Sequence, residues 1–532
     1  MRVLFIYTEN DPWALGMRSV VAVVKRAGHH TRILLMGSDK ESYPPIVLEE
    51  MKKLAQEAEV ICVSCFSRGS DKAKQVVEHL RSLGKITVWG GVHATLNPQD
   101  CANYVDLVCV GEGEEFILDL IGRLETGNDL LTIENGAFCH EGKVVINPLR
   151  PLMGDLDQLP LVDFSFEDEC HLKGDDFIRV SDFSDVTEPI MFSGSRGCSY
   201  NCTYCSNAKL KQLFAGKGRY VRRMSVPKYI EHLKTLRNSF PKSKYYYLID
   251  EDFFAQPLEE LRAFAEVYRQ EIGLPFEVLG SPVRITEEKV GVLVKAGLWR
   301  VRMGIESGSE RVKREVYKRY MTNEVVMRAT RAINKYPQVV PYYFIIISNP
   351  YEETEDLLET VQFIASLPNP FYLQCFNLIF FPGTALYDRA VHDGLILGTE
   401  DSGYQLDYRG GLHYEGHDWK RKNLYLNGLL FLMEGKSTPS RLGLLPRLLV
   451  RVFLYQRVIR FNERFPSLIK MAIAAKSLTL LLRKHGARWL TRIIGDPRTI
   501  YNLKAYLRRK EKPTPMTVPS AMSSQVRITI RE

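Results

Sequence analysis

The chain has 532 residues, 45% of them hydrophobic, with a net charge of +8 and ten cysteines. That length and apolar content are enough for several domains with buried cores, and so few cysteines exclude a disulfide scaffold and fit a reducing compartment. No uninterrupted apolar run reaches the about 18 residues of a membrane-spanning helix. Met1-Arg-Val-Leu-Phe-Ile-Tyr7 runs directly into a strand-like segment with no separate charged and apolar signal regions, so the expected location is the cytoplasm.

Along residues 1–130, short apolar runs alternate with amphipathic segments, which is the pattern of a doubly wound, Rossmann-like (flavodoxin-like) α/β sheet. Strands are expected at Val3–Tyr7, Thr31–Met36, Val60–Cys65, Ile86–Trp89 and Leu107–Val110, with helices at Met17–Ala27, Ile46–Ala58, Asp71–Ser82 and Glu114–Leu124. Glycine-bearing turns at Gly90-Gly91 and Gly111-Glu112-Gly113 fall on the edge where such sheets bind ligands. The first domain is placed at 1–135. Residues 136–186, rich in proline and acidic groups, read as a hairpin and a linker.

A second α/β series occupies 187–390. Its expected strands are Pro189–Ser193, Tyr245–Ile249, Phe276–Leu279, Arg300–Ile305, Pro341–Ile347 and Tyr372–Ile379, six βα units that predict a partial (β/α)6 barrel with its active groups at the C-terminal strand ends. Residues 391–510 read as a mostly helical domain, and 511–532, with three prolines and several serines, as a disordered tail.

Directly after the first barrel strand comes Cys198-x-x-x-Cys202-x-x-Cys205. Three thiolates so spaced can hold three irons of a [4Fe–4S] cluster and leave the fourth open to a ligand, which separates an enzyme from a fully wrapped electron carrier. The alternative is a zinc knuckle or a set of buried thiols, but zinc would want a fourth Cys or His at short spacing, and none lies within twenty residues.

The triad, with aromatic Tyr204 before its last cysteine, resembles the signature of the radical S-adenosylmethionine (SAM) superfamily. That resemblance implies that SAM chelates the open iron and is cleaved reductively to a 5′-deoxyadenosyl radical. It extends over roughly 188–388 and implies SAM contacts for Tyr204, Asp250, Asp252, Arg284, Glu306 and Ser348. Glu251 is a further candidate, and a helix N-cap is the competing role for the acidic cluster. Gly304-Ile-Glu-Ser-Gly308 carries Glu306. Ser348-Asn-Pro-Tyr-Glu-Glu-Thr354 resembles a Gly-x-Pro-x-Glu-Thr turn but has serine for the glycine and one extra residue. Pro382-Gly-Thr-Ala-Leu-Tyr387 reads as a structural turn. Cys375 either lines the barrel or packs as a small hydrophobe.

The first domain resembles the cobalamin-binding domain joined to many radical SAM enzymes. Its pattern of Asp-x-His-x-x-Gly, Ser-x-Leu and Gly-Gly corresponds here to Asp11-Pro-Trp13-Ala-Leu-Gly16, Ser64-Cys-Phe66 and Gly90-Gly91. The resemblance implies cobalamin contacts from Asp11, Trp13, Gly16, Ser64, Phe66, Gly90, Gly91, His93, Gly111 and Glu112. Trp13 stands where histidine would ligate cobalt, and an indole N–H can only donate, so cobalt is expected to lack that ligand. A sheet of this fold without cofactor is the alternative, and a lone His after a Gly-Gly turn is more often a loop hydrogen-bonder than a metal ligand, which is the competing role for His93.

The resemblance implies a methyltransferase acting on an unactivated carbon and served by an external reductant such as flavodoxin or ferredoxin. A radical SAM oxidative cyclase or rearrangement enzyme is the alternative. RNA methylthiolation is disfavoured because Cys62, Cys65, Cys101 and Cys109 do not reproduce the cluster-binding arrangement of those enzymes, so nucleic acid is not an expected partner, and a non-catalytic iron–sulfur protein is a last reading. Residues 441–510 carry twelve arginines and five lysines against Glu463 and Asp496. They are either a helical cap with a solvated basic face or a docking surface for an anionic membrane, suited to a hydrophobic or lipid-like substrate. Arg457, Arg460 and Arg464 share one helix face.

Overall fold

Arg2–Tyr7 (β1) is buried at every residue after the first, as a strand covered on both faces must be. In the computed structural model, which describes residues 1–476 apart from 10, 183–185, 398–422, 467 and 474, β1 is an interior strand of a nine-stranded sheet. The other strands are β2 (His30–Leu35), β3 (Val60–Ser64), β4 (Ile86–Gly90), β5 (Leu107–Cys109), β6 (Gly136–His140), β7 (Lys143–Ile146), β8 (Glu169–Lys173) and β9 (Asp176–Arg179). Their order is β7-β6-β5-β4-β3-β1-β2-β8-β9. β1 pairs in parallel with β2 (Val3 opposite Thr31) and with β3 (Val3 opposite Val60). The strand order reverses between β3 and β1, so the loops after these two strands diverge and open a crevice at the C-terminal edge.

The expected hairpin is β6–β7. The stretch read as a linker also holds a second hairpin, β8–β9, whose first strand pairs in parallel with β2. Each hairpin extends one edge of the sheet, covering strands that would otherwise be exposed. A buried ion pair fixes the second hairpin: Arg18 on the helix Leu15–Arg26 is fully enclosed and bonds Glu169 at 2.7 and 2.9 Å.

The second sheet contains β10 (Ile190–Phe192), β13 (Tyr246–Leu248), β14 (Phe276–Gly280), β15 (Leu298–Glu306), β16 (Val340–Ile347) and β17 (Phe371–Asn377), paired in parallel in that order. A small antiparallel ribbon, β11 (Ser195–Arg196) with β12 (Arg222–Arg223), brackets the cysteine loop. These six parallel strands are the expected partial barrel.

Beyond it the chain is not only helical. β18 (Gly435–Ser437), β19 (Arg441–Leu442) and β20 (Leu445–Pro446) continue the same sheet antiparallel to β17. Gly443 makes this return possible: its φ is +54°, and a Cβ there would lie 2.4 Å from the Glu434 carbonyl oxygen. The helix Leu424–Met433, buried at every residue, packs on β16 and β17. Residues 477–510 and the tail 511–532 lie outside the described residues.

Candidate active site

The cysteine loop leaves β10 through two close approaches. A Cβ on Gly194 would sit 2.2 Å from the Tyr229 ring, and one on Gly197, whose φ is +85°, 2.4 Å from the Tyr220 carbonyl oxygen. Only glycine lets the backbone turn here. The loop is then sewn to the far side of the barrel: Thr203 N–H donates to Tyr317 O at 3.1 Å and Thr203 Oγ1 to Val316 O at 2.6 Å, while Leu386 N–H donates to Thr203 O at 2.9 Å. The last bond gives Pro382–Tyr387 the structural role read from its sequence.

Cys202 is buried, Cys198 and Cys205 are half-buried, and the helix Ser206–Leu213 starts immediately after Cys205. Burial pushes the Cys198 thiol up to about 12 and the Cys205 thiol up to about 11. Thiolates at such positions need positive charge beside them, and bound iron deprotonates a thiol outright. Among the described residues no three Cys, His, Asp or Glu side chains converge as one metal ion would require; a four-iron cluster takes one thiolate per iron corner and does not ask for that convergence. Cys198, Cys202 and Cys205 act on one another through their charges, so the three thiols share one neighbourhood, and they are the donor set such a cluster takes.

The predicted SAM residues stand at successive C-terminal strand ends. After β13, Asp250 is 3% exposed and accepts from Tyr229 Oη at 2.7 Å, while Asp252 accepts from Tyr200 Oη at 3.1 Å and from Ser281 N–H at 3.2 Å. Burial raises both carboxyls, and neither forms a salt bridge among the described residues. Two enclosed carboxylates with no cation in direct contact, and only Arg223, Arg284 and Arg319 acting on them at longer range, are costly alone and fit an ammonium ligand. Glu251 between them accepts from Asn207, just past the last cysteine. Arg284, beyond β14, is exposed and acts on Asp252 only through its charge.

At the end of β15, Glu306 has a φ of +69°, and at the end of β16, Ser348 has a φ of +62°, a left-handed conformation seldom taken by non-glycine residues outside constrained sites. Burial raises the Glu306 carboxyl and Arg319 opposes it. Ser348 is satisfied internally, its N–H donating to Asn427 Oδ1 at 2.8 Å and its Oγ to Asn377 Oδ1 at 3.0 Å. Cys375 lies in the core, with its Sγ 3.4 Å from Leu430 O, and is a packing residue.

Sequence reasoning missed Arg319. Its Nη1 lies 3.8 Å from Cys202 Sγ, 3.5 Å from Tyr204 Oη and 3.8 Å from Glu306 Oε1, and its Nη2 donates to Gly304 O at 2.8 Å. Asn427, contributed by the C-terminal helix Leu424–Met433, was missed as well. Neither has a local motif, and only the basic character of Lys318-Arg319 hinted at the first.

The predicted cobalamin residues do gather on the C-terminal edge of the first sheet, but not all face an open crevice. Trp13, read as replacing a cobalt ligand, is 6% exposed and inserted between the domains, its ring 4.7 Å from Phe240 and 6.0 Å from Phe164. Arg18 pulls the loop inward by donating to Trp13 O and Pro12 O. Asp11 holds the loop's turn, accepting from Trp13 N–H at 3.0 Å. His93 is 2% exposed and bonded to Ser67 Oγ and Asp100 Oδ2, so it takes the loop-bonding role. The Glu112 carboxylate is consumed by Arg196, Arg222 and the Met153 N–H. Gly111 has a φ of +106°, and a Cβ there would meet Phe214 at 2.4 Å.

What remains open is Gly16, with nothing within 4 Å of a Cβ, and Phe66, half of whose surface is exposed; the Gly90-Gly91 turn is half-buried, with Ser64 Oγ 2.7 Å from where a Gly91 Cβ would lie. Bare backbone and a flat aromatic face fit a broad corrin, and no imidazole in these loops is free to ligate cobalt. This edge faces the barrel: Phe214 lies on the segment following the cysteine loop, Gly383 packs against Leu96, and Asn97 Nδ2 donates to Pro382 O.

Comparison with known proteins agrees with this division. The model of the radical SAM superfamily matches residues 192–364, and that of the B12-binding domain matches residues 1–121. An uncharacterized methyltransferase of Pyrococcus horikoshii is 27% identical over 58% of this chain and 64% of its own length. The anaerobic magnesium-protoporphyrin IX monomethyl ester cyclase of Rubrivivax gelatinosus is 23% identical over 70% of this chain and 66% of its own. The chain thus spans about two thirds of the length of these relatives. Among solved structures, the radical SAM methyltransferase TsrM of Kitasatospora setae, with tryptophan and a SAM analogue bound, superposes with a TM-score of 0.59 at 16% identity, covering 74% of this chain and 76% of that one. With one model on the cysteine-bearing barrel and the other on the sheet that abuts its mouth, the chain carries a radical SAM domain with a B12-binding domain ahead of it.

Proposed function

We propose that this protein is a cobalamin-dependent radical SAM methyltransferase acting on an unactivated carbon of a small, hydrophobic or lipid-like molecule. The observation that carries the reading is the apposition of the first sheet's ligand edge to the cysteine loop: Glu112 bonds Arg196, two residues before Cys198, at 2.9 Å. When bound, the cofactors supply a hydrogen-abstracting carbon radical and a methyl group. The chain's own residues bind and orient. Cys198, Cys202 and Cys205 would hold the cluster. Asp250 and Asp252 would receive the SAM amine, with Tyr204, Arg284, Glu306 and the Ser348 turn around the rest of that molecule. Asp11, Gly16, Ser64, Phe66, Gly90 and Gly91 would meet cobalamin, while Trp13, His93, Gly111 and Glu112 brace the loops that do so. Electrons would come from an external flavodoxin or ferredoxin.

Similarity to the cyclase supports a second reading, oxidative cyclisation without methyl transfer. The two separate in one experiment. Anaerobically reconstituted protein is given cobalamin, trideuteromethyl SAM and a strong reductant. Release of 5′-deoxyadenosine with the label recovered in the cobalamin fraction supports methyl transfer. Release of 5′-deoxyadenosine with no label there favours the cyclase, and no 5′-deoxyadenosine at all rejects both.

A further inference from the structure

The C-terminal helices turn an unusual face outward. Helices Arg447–Phe453 and Gln456–Arg464 are anchored by Val450 and Ile459, and the segment after them by Ile469 and Ile473, which close on Gly428 of the buried helix Leu424–Met433. The residues facing away should be polar in water. Instead Leu448 is 79% exposed and Met471 69%, and Val452, Tyr455, Phe461 and Leu468 are more than half exposed. Exposed apolar side chains concentrated in one stretch mark an interaction surface. Beside them lies a cavity of about 620 Å³ lined by Arg451, Arg457 and Arg460 with Gln362, Leu454, Tyr455 and Gln456, and by no acidic side chain.

We infer that this face docks on an anionic phospholipid membrane, the three arginines receiving phosphate headgroups while Leu448, Val452 and Phe461 enter the boundary of the acyl chains. Arginine interleaved with leucine, valine and aromatic residues on a helix that does not span is the composition of an interfacial anchor. A nucleic acid would satisfy the guanidinium groups and leave the aliphatic side chains in water, and so fits the surface less well. No described helix is long and apolar enough to cross a bilayer, so attachment would be to one leaflet and sensitive to salt.

The test is co-sedimentation of the full chain with phosphatidylserine-containing vesicles and with pure phosphatidylcholine vesicles, at low and high salt. Partition onto the anionic vesicles at low salt is expected to exceed the other conditions roughly tenfold. The triple variant R451Q/R457Q/R460Q is expected to fall to the neutral-vesicle level, and L448S/V452S/F461S to lose binding even at low salt, both with unchanged far-ultraviolet circular dichroism and iron content. Equal sedimentation with anionic and neutral vesicles overturns the inference. So does binding to a single-stranded RNA that the apolar triple variant leaves intact while vesicles are ignored. If either variant misfolds, the lipid and salt comparison on the unaltered chain decides alone.

Discussion

Arg319 and Cys202, separated by 117 positions in the chain, meet at 3.8 Å between Nη1 and Sγ, and the Arg319 Nε is buried without a hydrogen-bond partner. If Cys202 holds one corner of the proposed cluster, a guanidinium beside it favours the reduced, more negative state of that centre. Arg319→Gln is therefore expected to lower the midpoint potential of the reconstituted cluster, by about 59 mV if the oxidised-to-reduced ratio shifts tenfold in a one-electron step. Arg319→Lys, which keeps the charge, should shift it less. Electron paramagnetic resonance during a redox titration measures this, with iron content as the control; an unmoved potential at full iron loading would remove Arg319 from the electrostatics of the cluster.

Gly194 and the Tyr229 ring make the tightest approach at the start of the cysteine loop. Adding a methyl group there forces Tyr229, and with it the hydrogen bond to Asp250, out of place. Gly194→Ala is expected to destabilise the fold by about 1–3 kcal/mol, the range for overpacked cores, and to lower the iron retained per chain. Denaturant titration and iron analysis on the same preparation check both.

Glu352 is buried, its carboxyl pushed up to about 8 by desolvation, with Ser307 Oγ donating to one oxygen and nothing to the other. An acid with its folded pKa above the unfolded value keeps a proton that the unfolded chain has released. Its contribution to stability is therefore fully present below about 4.5 and is lost as pH rises from there to about 8. Glu352→Gln should match the parent at pH near 4.5 and exceed it at higher pH, the gap growing by up to about 1.4 kcal/mol per pH unit. Urea midpoints across that range test the slope, and parallel curves would show that Glu352 does not titrate this way.

Trp13 fills the seam between the domains. Trp13→Ala is expected to cost about 3–5 kcal/mol through the cavity it leaves, read as a lower thermal midpoint. Trp13→His is expected to leave the visible spectrum of the cobalamin-loaded protein unchanged, because position 13 points into the core. A spectral change on introducing histidine would mean that the loop can reach cobalt.

Much of this protein is legible along the chain. The five strands from Val3 to Val110 and the six of the barrel alternate with helices at spacings that local apolar patterning reveals, and each observed strand lies within a few residues of its expected place. Cys198, Cys202 and Cys205 announce themselves because all three belong to one loop, where sequence spacing is spatial spacing. The short strands β18–β20 were hidden, since two or three residues carry no period, and so was β8–β9, whose place beside β2 is set by the enclosed Arg18–Glu169 pair.

What only tertiary structure decided is which side chains of a motif stay open at the sheet edge and which are turned into the fold. Trp13, His93 and Glu112 occupy positions that sequence assigns to a cofactor, yet burial and ion pairing with distant partners turn them inward, because an enclosed polar group must be bonded and an enclosed ring must be packed. Arg319 and Asn427 entered the site by the converse route. Their neighbours are made by crossovers between strands, and contacts between residues so far apart in the chain leave no mark on the order of its letters.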